Sequence, residues 1–281
     1  MGSHDPGAVL ITGCSTGIGR ATAERLAGKG MRVWATARRP EDIEDLRAKG
    51  CEVLALDVAD EQSMAAAVAD VEGRDGAVGA LVNNAGYSQS GALEELRMDS
   101  VRRQFDTNVF GLLRMCQLVL PGMRREGKGR IVNLSSMGGK LTFPGGGVYH
   151  ATKFAVEALS DVLRFEVAGF GVRVVVVEPG LIRTRFGETA SASVAHGDGA
   201  YGHFNAMVAA TTRAAYEGPM ARLGAGPGAV AKTIERALSA SRPRTRYPVT
   251  ASARVLLGVR RLAPDRVWDS MMARNFPQPR G

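Results

Sequence analysis

Short apolar runs alternate along this chain with longer stretches in which apolar residues recur every three or four positions. The short runs are rich in Val, Ile and Leu, as is typical of strands that are covered on both faces. They lie at residues 8–12, 32–36, 51–56, 80–82, 130–134 and 172–177. Helical spacing fills the intervals, most extensively at 100–123 and 148–168. The alternation predicts an α/β fold, a doubly wound parallel sheet of about seven strands with right-handed crossovers and helices on both faces.

The regular alternation weakens in one segment, residues 185–226. Gly, Ala, Ser and His are mixed there with a single weak helical pattern at 204–216. Long irregular segments of compact α/β proteins commonly form lids or binding loops, so we expect a lid over a substrate site. Neither an internal repeat nor a linker-like composition interrupts 8–281, which predicts one domain. Residues 1–7 are expected to be the remnant of an expression tag.

The chain carries a formal net charge of +8, and the arginine excess is concentrated near its carboxyl end. Neither zinc-ligand spacing nor a set of stacking aromatics accompanies these arginines, which argues against a nucleic-acid partner. Residues 254–262 combine apolar side chains with arginines. We expect this segment to cover a pocket or a subunit contact, and weak contact with a membrane surface is the alternative.

Other segments bear on compartment and metal binding. No apolar run is long enough to span a membrane, and the first residues lack the pattern of a signal peptide, so we expect a cytoplasmic protein. Cys14, Cys51 and Cys116 match no metal-ligand spacing. We therefore expect reduced thiols and no metal.

A glycine-rich turn follows the first apolar run and precedes a helical pattern. Its sequence is Thr12-Gly13-Cys14-Ser15-Thr16-Gly17-Ile18-Gly19. Glycines in this position allow a tight turn and let backbone N–H groups approach a pyrophosphate at a helix N-terminus. The strand–turn–helix context predicts a Rossmann-type dinucleotide site. The residues expected to form it are Gly13, Ser15, Thr16, Gly17, Ile18 and Gly19.

No acidic residue stands at the end of the second predicted strand, where the adenosine ribose of a dinucleotide would lie. The sequence there is Thr36-Ala37-Arg38-Arg39. A carboxylate would bind a free 2′-hydroxyl and repel a 2′-phosphate, whereas the planar cation of Arg38 suits a phosphate dianion. We therefore predict NADP (NADPH) as the cofactor, and an Arg38 that is merely a solvated loop charge is the alternative. A carboxylate introduced by Ala37→Asp is expected to shift preference toward NAD.

Further motifs follow in a characteristic order at the ends of predicted strands and in the helices after them. They are Asp57, Asn83-Asn84-Ala85-Gly86, Asn108, Ser136, Tyr149-His150-Ala151-Thr152-Lys153 and Pro179-Gly180. With these motifs, residues 8–186 resemble the short-chain dehydrogenase/reductase family in its shorter single-domain branch, and its hydroxysteroid and retinol dehydrogenases in particular. The resemblance implies an oxidoreductase that transfers a hydride between a nicotinamide cofactor and a ketone or secondary alcohol, and Arg38 predicts that this cofactor is NADP.

Tyr149 and Lys153 are four residues apart in a helical stretch, so their side chains lie on one face. A free phenol has a pKa of about 10 and is a poor base near neutral pH. A nearby ammonium and the positive ring of an oxidised nicotinamide both favour phenolate, so we predict a lowered pKa for Tyr149 and a role as catalytic acid and base. Ser136, at the end of the fifth strand, can hydrogen-bond the substrate oxygen as charge develops on it. His150 turns away from the Tyr149 face and is expected to pack against its neighbours.

The resemblance assigns further roles by position. It selects Ser136 over the adjacent Ser135 as the catalytic serine, and it implies that Asn108 holds a water linking Lys153 to solvent. The additional cofactor contacts that it implies are Asp57, Val58, Asn83, Ala85, Gly86, Tyr149, Lys153, Pro179, Gly180, Ile182 and Thr184. It also implies a homodimer or homotetramer whose subunit contact is formed by the helices that begin near 100 and 148.

The sequence predicts the substrate only as a class. Apolar and aromatic residues at 137–148, 179–186 and in the expected lid favour a lipophilic carbonyl or alcohol, although helix packing explains several of them equally well. Variable loops set the substrate in folds of this kind.

Two other functions share these motifs. One is an NADP-sensing regulatory protein of the same fold, against which the complete proton-transfer set argues. The other is a nucleotide-sugar epimerase or dehydratase. Those enzymes have a larger carboxyl-terminal substrate domain than the roughly hundred residues after Pro179 allow.

Overall fold

A computed structural model describes residues 5–194, 199–276 and 278–279. The first four residues of the expected tag remnant and residues 195–198 of the expected lid lie outside this part of the chain. The described residues form a parallel seven-stranded sheet in the order β3-β2-β1-β4-β5-β6-β7. Its strands are β1 Ala8–Ile11, β2 Val33–Ala37, β3 Cys51–Ala55, β4 Val78–Asn83, β5 Gly129–Leu134, β6 Val172–Glu178 and β7 Arg246–Pro248. The predicted fold class is confirmed, and the short seventh strand is the one that no apolar run had located.

Helices cover both faces of the sheet. In the described residues they are α1 Gly17–Ala27, α2 Glu61–Asp75, α3 Met98–Phe105, α4 Gly111–Arg125, α5 Gly147–Glu166, α6 Phe186–Ala192, α7 Gly202–Glu217, α8 Pro227–Ser239, α9 Ala251–Leu262 and α10 Asp265–Asn275. Buried residues of α1 and α8 form a core with one face of the sheet. Those of α2, α4 and α5 form a second core with the other face.

The two cores explain why the strands are continuous apolar runs. Successive side chains of a strand point to opposite faces, so Val9 and Ile11 enter the first core while Leu10 enters the second. All three are fully buried. A sheet packed on both faces leaves no strand face for polar side chains, hence the absence of alternation.

The long helix predicted at 100–123 is not continuous. A π-helical segment, Asp106–Phe110, separates α3 from α4 and contains Asn108. Such single-turn π segments are frequent at functional sites because they redirect one side chain. The segment after β2 is also tighter than an α-helix, since Pro40–Lys49 forms 3₁₀ turns.

The irregular 185–226 segment contains two helices, α6 and α7, and the helical pattern predicted at 204–216 corresponds to α7. After β7, α9 and α10 pack beside the same end of the molecule through Ala253 and Trp268, which are buried. Within the described ranges, no helix has the length and apolar character needed to cross a membrane.

Candidate functional site

The glycine-rich turn between β1 and α1 is held against the end of β4. Gly13 has a φ of 73°, and a Cβ there would lie 2.9 Å from Ala85 Cα, so only glycine fits. A Cβ at Gly19 would overlap the carbonyl oxygen of Gly13. The backbone of the turn thus lies close to Ala85 and to its own first residues. No side chain intervenes at these glycines, so a phosphate can bind against the backbone N–H groups.

Asn84 and Thr12 fix this turn, and neither was among the predicted site residues. The Asn84 Nδ2 donates to the carbonyl oxygens of Thr12 and Gly13, both at 2.9 Å. The Thr12 Oγ1 accepts from the backbone nitrogens of Asn84 and Ala85 at 3.0 Å. The sequence could have indicated both residues, because Thr12 begins the glycine-rich turn and Asn84 belongs to the motif Asn83-Asn84-Ala85-Gly86.

The N-terminus of α1 is available to an anion. Thr16 precedes the helix in an extended conformation without a side-chain cap, and the first turn has no acidic residue. Ser15 and Thr16 are exposed, whereas Ile18 packs against the core. Gly17 has a φ of 59°, and a Cβ there would touch Thr184 at 3.4 Å. A glycine cradle at an uncapped helix N-terminus fits the pyrophosphate of a dinucleotide.

Cys14, in the middle of this turn, is buried, and its Sγ donates to the Ile11 carbonyl at 3.4 Å. Burial raises the pKa of its thiol to about 12. The side chain is a space-filling residue and an unreactive one.

At the adenosine side, Arg38 follows β2 and is exposed. Within the described chain it forms neither an ion pair nor a side-chain hydrogen bond, whereas Arg39 pairs with Asp42 at 2.9 Å. Ala59 N donates to Asp57 Oδ1 at 3.0 Å, forming a tight turn after β3, and Val58 is buried. The carboxyl ends of β2 and β3 thus offer an unpaired guanidinium beside a short turn.

The side chain of Asn83, the last residue of β4, is buried in a core. Its side chain is 3% exposed and its Nδ2 donates to Asn133 Oδ1 at 3.0 Å and to Cys116 Sγ at 3.3 Å. The amide therefore points between β4, β5 and α4 and not into the crevice. As the last residue of β4, Asn83 faces a core, while Asn84 and Ala85 reach the glycine-rich turn. The prediction that Asn83 borders the cofactor therefore concerns its backbone at the end of β4, and it stays a prediction.

Tyr149 and Ser136 come together at the carboxyl end of β5. The Ser136 side chain hydrogen-bonds Tyr149, and its Oγ accepts from Gly138 N at 3.0 Å. Ser135 is 4% exposed and contacts Gly139 from the other side. Of the two neighbouring serines, only Ser136 is directed to the tyrosine.

Lys153 and Asn108 complete the group. The Lys153 Nζ donates to the Leu134 carbonyl at 2.7 Å and lies 5.8 Å from the centre of the Tyr149 ring. The Asn108 Nδ2 donates to Tyr87 O at 2.9 Å and to Thr152 Oγ1 at 3.1 Å, and its Oδ1 accepts from Tyr87 N. Gly86 lies between the side chains of Asn108 and Lys153. A Cβ on this glycine would be 3.1 Å from Asn108 Oδ1 and 3.8 Å from Lys153 Nζ.

The predicted lowering of the Tyr149 pKa is wrong for this structure. Burial raises the pKa of Tyr149 to about 12, and the hydrogen bond with Ser136 opposes the change only in part. Burial also lowers the pKa of Lys153 to about 8, against the opposing charge of Glu157. The Lys153 Nζ donates its short hydrogen bond to the Leu134 carbonyl and not to the phenol, so desolvation is the dominant influence on the pKa of Tyr149.

His150 has a structural role, as its position on the helix suggested. It is 6% exposed, its Nδ1 lies 3.1 Å from Gly138 O, and its Nε2 accepts from Phe143 N at 3.1 Å. Burial lowers its pKa, so the ring is neutral and bridges two loops of the site. It does not serve as a base for Tyr149.

The loop after β6 closes the remaining side of the crevice. Pro179 O accepts from Met137 N at 2.9 Å, and Gly180 abuts Thr250 and Ser252 so closely that a Cβ would not fit. Ile182 is buried and pairs with Ala225. Thr184 Oγ1 accepts from Phe186 N at 3.2 Å and so leads directly into α6.

An apolar roof lies above Tyr149. The Phe186 ring is 5.4 Å from the tyrosine ring, and Tyr216 of α7 packs against Gly187. A small apolar cluster continues this roof, formed by Met137, Leu181, Ala253, Phe143, Ala215, Tyr216, Leu256 and Leu257. The segment predicted as a lid therefore places Phe186 of α6 beside the Tyr149 ring and packs α7 against α6.

Comparison with known proteins agrees with this geometry. The family description "short chain dehydrogenase" matches residues 7–195. The oxidoreductase YbbO of Escherichia coli is 34% identical over 94% of this chain and 93% of its own. The NADPH-dependent 3-dehydrocapnine reductase of Ornithobacterium rhinotracheale is 32% identical over 95% and 96%. Mouse 17-beta-hydroxysteroid dehydrogenase type 1 is 42% identical over 66% of this chain and 56% of its own.

A solved structure of similar fold covers nearly the whole chain. It is a short-chain dehydrogenase from Streptomyces avermitilis, with a TM-score of 0.77, 35% sequence identity and coverage of 94% of both chains.

Proposed function

The chain belongs to the short-chain dehydrogenase family, and from that premise we propose that it is an NADP-dependent oxidoreductase acting on a lipophilic ketone or secondary alcohol. The observation that carries the proposal is the placement of Tyr149, Ser136 and Lys153 beside the glycine-rich turn. Thr184 contacts Gly17 on one side and leads into the roof over Tyr149 on the other. One dinucleotide can therefore bind the turn and present its other end to the tyrosine.

The chain's own residues supply the proton chemistry. A bound NADPH supplies the hydride that reaches the carbonyl carbon. Tyr149 donates its phenolic proton to the carbonyl oxygen, and the Ser136 hydroxyl hydrogen-bonds the same oxygen as negative charge develops. Lys153 stabilises the resulting phenolate by its positive charge, and Asn108 holds the backbone of Tyr87 in place beside it.

The preference for NADP rests on Arg38. Its guanidinium is exposed at the end of β2 and has no partner in the described residues, so no internal ion pair must break before a phosphate binds. Neighbouring positions offer no carboxylate that would repel a 2′-phosphate, since Thr36 and Ala37 are buried and uncharged. The NADPH-dependent relative from Ornithobacterium supports the same preference.

The apolar roof supports a lipophilic substrate. Phe186 and Tyr216 cover Tyr149, and the adjoining cluster contributes methionine and leucine side chains. Apolar surfaces of this kind favour a hydrocarbon skeleton that carries one reacting oxygen. The partial similarity to a hydroxysteroid dehydrogenase is consistent with that substrate class.

Cofactor titration of two arginine variants tests the proposal. Arg38→Ala is expected to weaken NADPH binding at least about 10-fold while leaving NADH binding unchanged, because a charge-assisted phosphate contact contributes about 1.5–3 kcal/mol. Arg39→Ala is the matched control, since that side chain pairs with Asp42. Fluorescence titration at fixed salt measures both affinities. An equal loss of affinity for NADPH and NADH in Arg38→Ala, or no loss for either, would contradict the NADP assignment. An unchanged ratio of NADPH to NADH affinity in Ala37→Asp would contradict it as well.

The activity has its own test. If the wild type oxidises no NADPH when lipophilic ketones are supplied, the proposed reaction is wrong.

A further inference from the structure

Two buried carboxyl groups meet beside α5, and one of them follows Lys153 by a single helical turn. Glu157 follows Lys153 by four residues on α5 and is 3% exposed, and Glu178, the last residue of β6, is also 3% exposed. Buried carboxylates without partners are costly, so a pair of them requires neighbouring cations or a shared proton.

Arg246 of β7 binds both carboxyls. Its Nε lies 3.0 Å from a Glu157 oxygen and 3.4 Å from a Glu178 oxygen. Lys140 adds a second cation, 3.2 Å from Glu157. The remaining charges at the cluster are Asp161 and Arg164 of α5. Asp161 pairs with Arg246 at 2.6 Å, and Arg164 pairs with Asp161 at 2.6 Å.

Glu178 is the carboxyl of the cluster that binds a proton most readily. Burial and the neighbouring charge of Glu157 together raise the pKa of Glu178 to about 7, against the opposing charges of Arg246 and Lys140. The Oε1 of Glu157 is buried and accepts no hydrogen bond from an N–H or hydroxyl group of the described residues. A proton on Glu178 supplies the donor that this oxygen lacks.

The turn at Gly139 packs against both Glu157 and Lys153. A Cβ on Gly139 would lie 2.9 Å from both Glu157 Cγ and the Lys153 carbonyl oxygen, so the same turn packs on both residues. Lys153 is 6% exposed, and no carboxylate within the described chain forms an ion pair with it. Glu157 is therefore the negative charge that acts on this buried ammonium from the neighbouring turn of the helix.

We propose that Glu157 is a positioning residue for Lys153, and that its buried carboxylate supplies the negative charge that keeps the Lys153 ammonium protonated beside Tyr149. This inference rests on the proposed function for its catalytic meaning. Glu157→Gln removes the nearer charge and leaves Lys140 and Arg246 to repel Lys153. Glu178→Gln removes the carboxyl on β6 and leaves the Glu157 carboxylate in place on the helix of Lys153.

The matched pair of variants separates this role from simple packing, because both lose a carboxylate contact with Arg246. The chain has six lysines, so lysine side-chain NMR with ¹³C labelling at Cε can follow each titration in the unliganded protein, with Lys153→Met for assignment. In Glu157→Gln the pKa of Lys153 is expected to fall by about one unit, the size of a charge lost nearby in a medium of intermediate dielectric. In Glu178→Gln it is expected to stay or rise. Equal shifts in both variants, or no shift in Glu157→Gln, would overturn the proposal.

A second readout connects the titration to turnover. For ketone reduction by Glu157→Gln, kcat/KM is expected to begin its alkaline fall at a lower pH than in the wild type. The fall should move by the same number of pH units as the pKa of Lys153. Glu157→Asp keeps the charge and is expected to return the alkaline fall of kcat/KM most of the way to its wild-type pH. This variant also tests the proposal if Glu157→Gln folds poorly. A wild type without carbonyl reduction would reject the proposed function while the NMR titration still decided the role of Glu157.

Discussion

At the scale of single residues, Tyr149 is half-buried beside the aromatic ring of Phe186. Phe186 lies 5.4 Å from its ring, and burial holds its pKa at about 12. A phenol with this pKa keeps its proton at neutral pH, which suits the reductive direction, where Tyr149 must donate. Its conjugate base needs a positive charge nearby, and the Lys153 ammonium, 5.8 Å from the centre of the ring, supplies one.

Removal of this hydroxyl separates binding from chemistry. Tyr149→Phe is expected to lower kcat for ketone reduction about 10²–10⁴-fold, the usual contribution of a positioned acid, without weakening NADPH binding. Stopped-flow turnover and fluorescence titration measure the two quantities. Tyr247→Phe, which alters another buried tyrosine that accepts from Arg244 N, is the control and should retain activity. A Tyr149→Phe enzyme within threefold of wild type would reject the tyrosine as the acid.

At the scale of secondary-structure elements, the glycine-rich turn shows how local conformation produces a binding surface. Asn84 clamps the carbonyl oxygens of Thr12 and Gly13, which leaves the N–H groups at the start of α1 free of side-chain caps. The π-helical segment similarly directs Asn108 toward Tyr87 and Thr152. In both elements an unusual backbone fixes polar groups at the crevice.

A pair of glycine substitutions tests the turn. Gly19→Ala is expected to weaken NADPH binding more than about 10-fold and to lower Tm, because its Cβ would overlap Gly13 O and displace the turn. Gly73→Ala in α2 is the control, since a Cβ there meets no atom within 4 Å. Alanine is the better helix former by about 0.5–1 kcal/mol, so that variant should melt at higher temperature with unchanged affinity. Calorimetry and cofactor titration give both values, and normal NADPH affinity in Gly19→Ala would refute the turn as the phosphate site.

At the scale of the whole molecule, large apolar side chains are exposed on two separate surfaces. The first lies along the π segment and α5 and consists of Phe110, Phe154, Val162 and Phe165, of which Phe165 is 88% exposed. The second lies on α9, where Leu262 is 84% exposed. Exposed aromatic patches of this kind commonly mark protein contacts. We propose that the first surface forms a homodimer contact, in keeping with the predicted pairing of the helices near 100 and 148.

Oligomeric state distinguishes the two surfaces. Phe165→Asp is expected to shift the protein from dimer to monomer in light scattering coupled to size exclusion, because a carboxylate would be buried unpaired in the contact. Leu262→Asp is the matched control on α9 and should leave the dimer intact. The opposite result would assign the subunit contact to the carboxyl-terminal helices.

The sequence by itself determined the α/β class, the glycine-rich turn, and the shared helix face of Tyr149 and Lys153, because each depends on local periodicity or short spacing. It also pointed to Ser136 at the end of a strand. Arg38 and the cofactor that it selects remain predictions from local sequence.

Only the tertiary structure decided which side of the sheet the neighbouring Asn83 and Asn84 face, because one position along a strand reverses the side chain. The tertiary structure also decided the high pKa of Tyr149, because burial raises it and Phe186, which lies beside the ring, is distant in sequence. The Glu157 cluster needed the fold most of all, since its partner Arg246 is 89 residues away in sequence. Burial and long-range charge are properties of packed elements, and no local pattern encodes them.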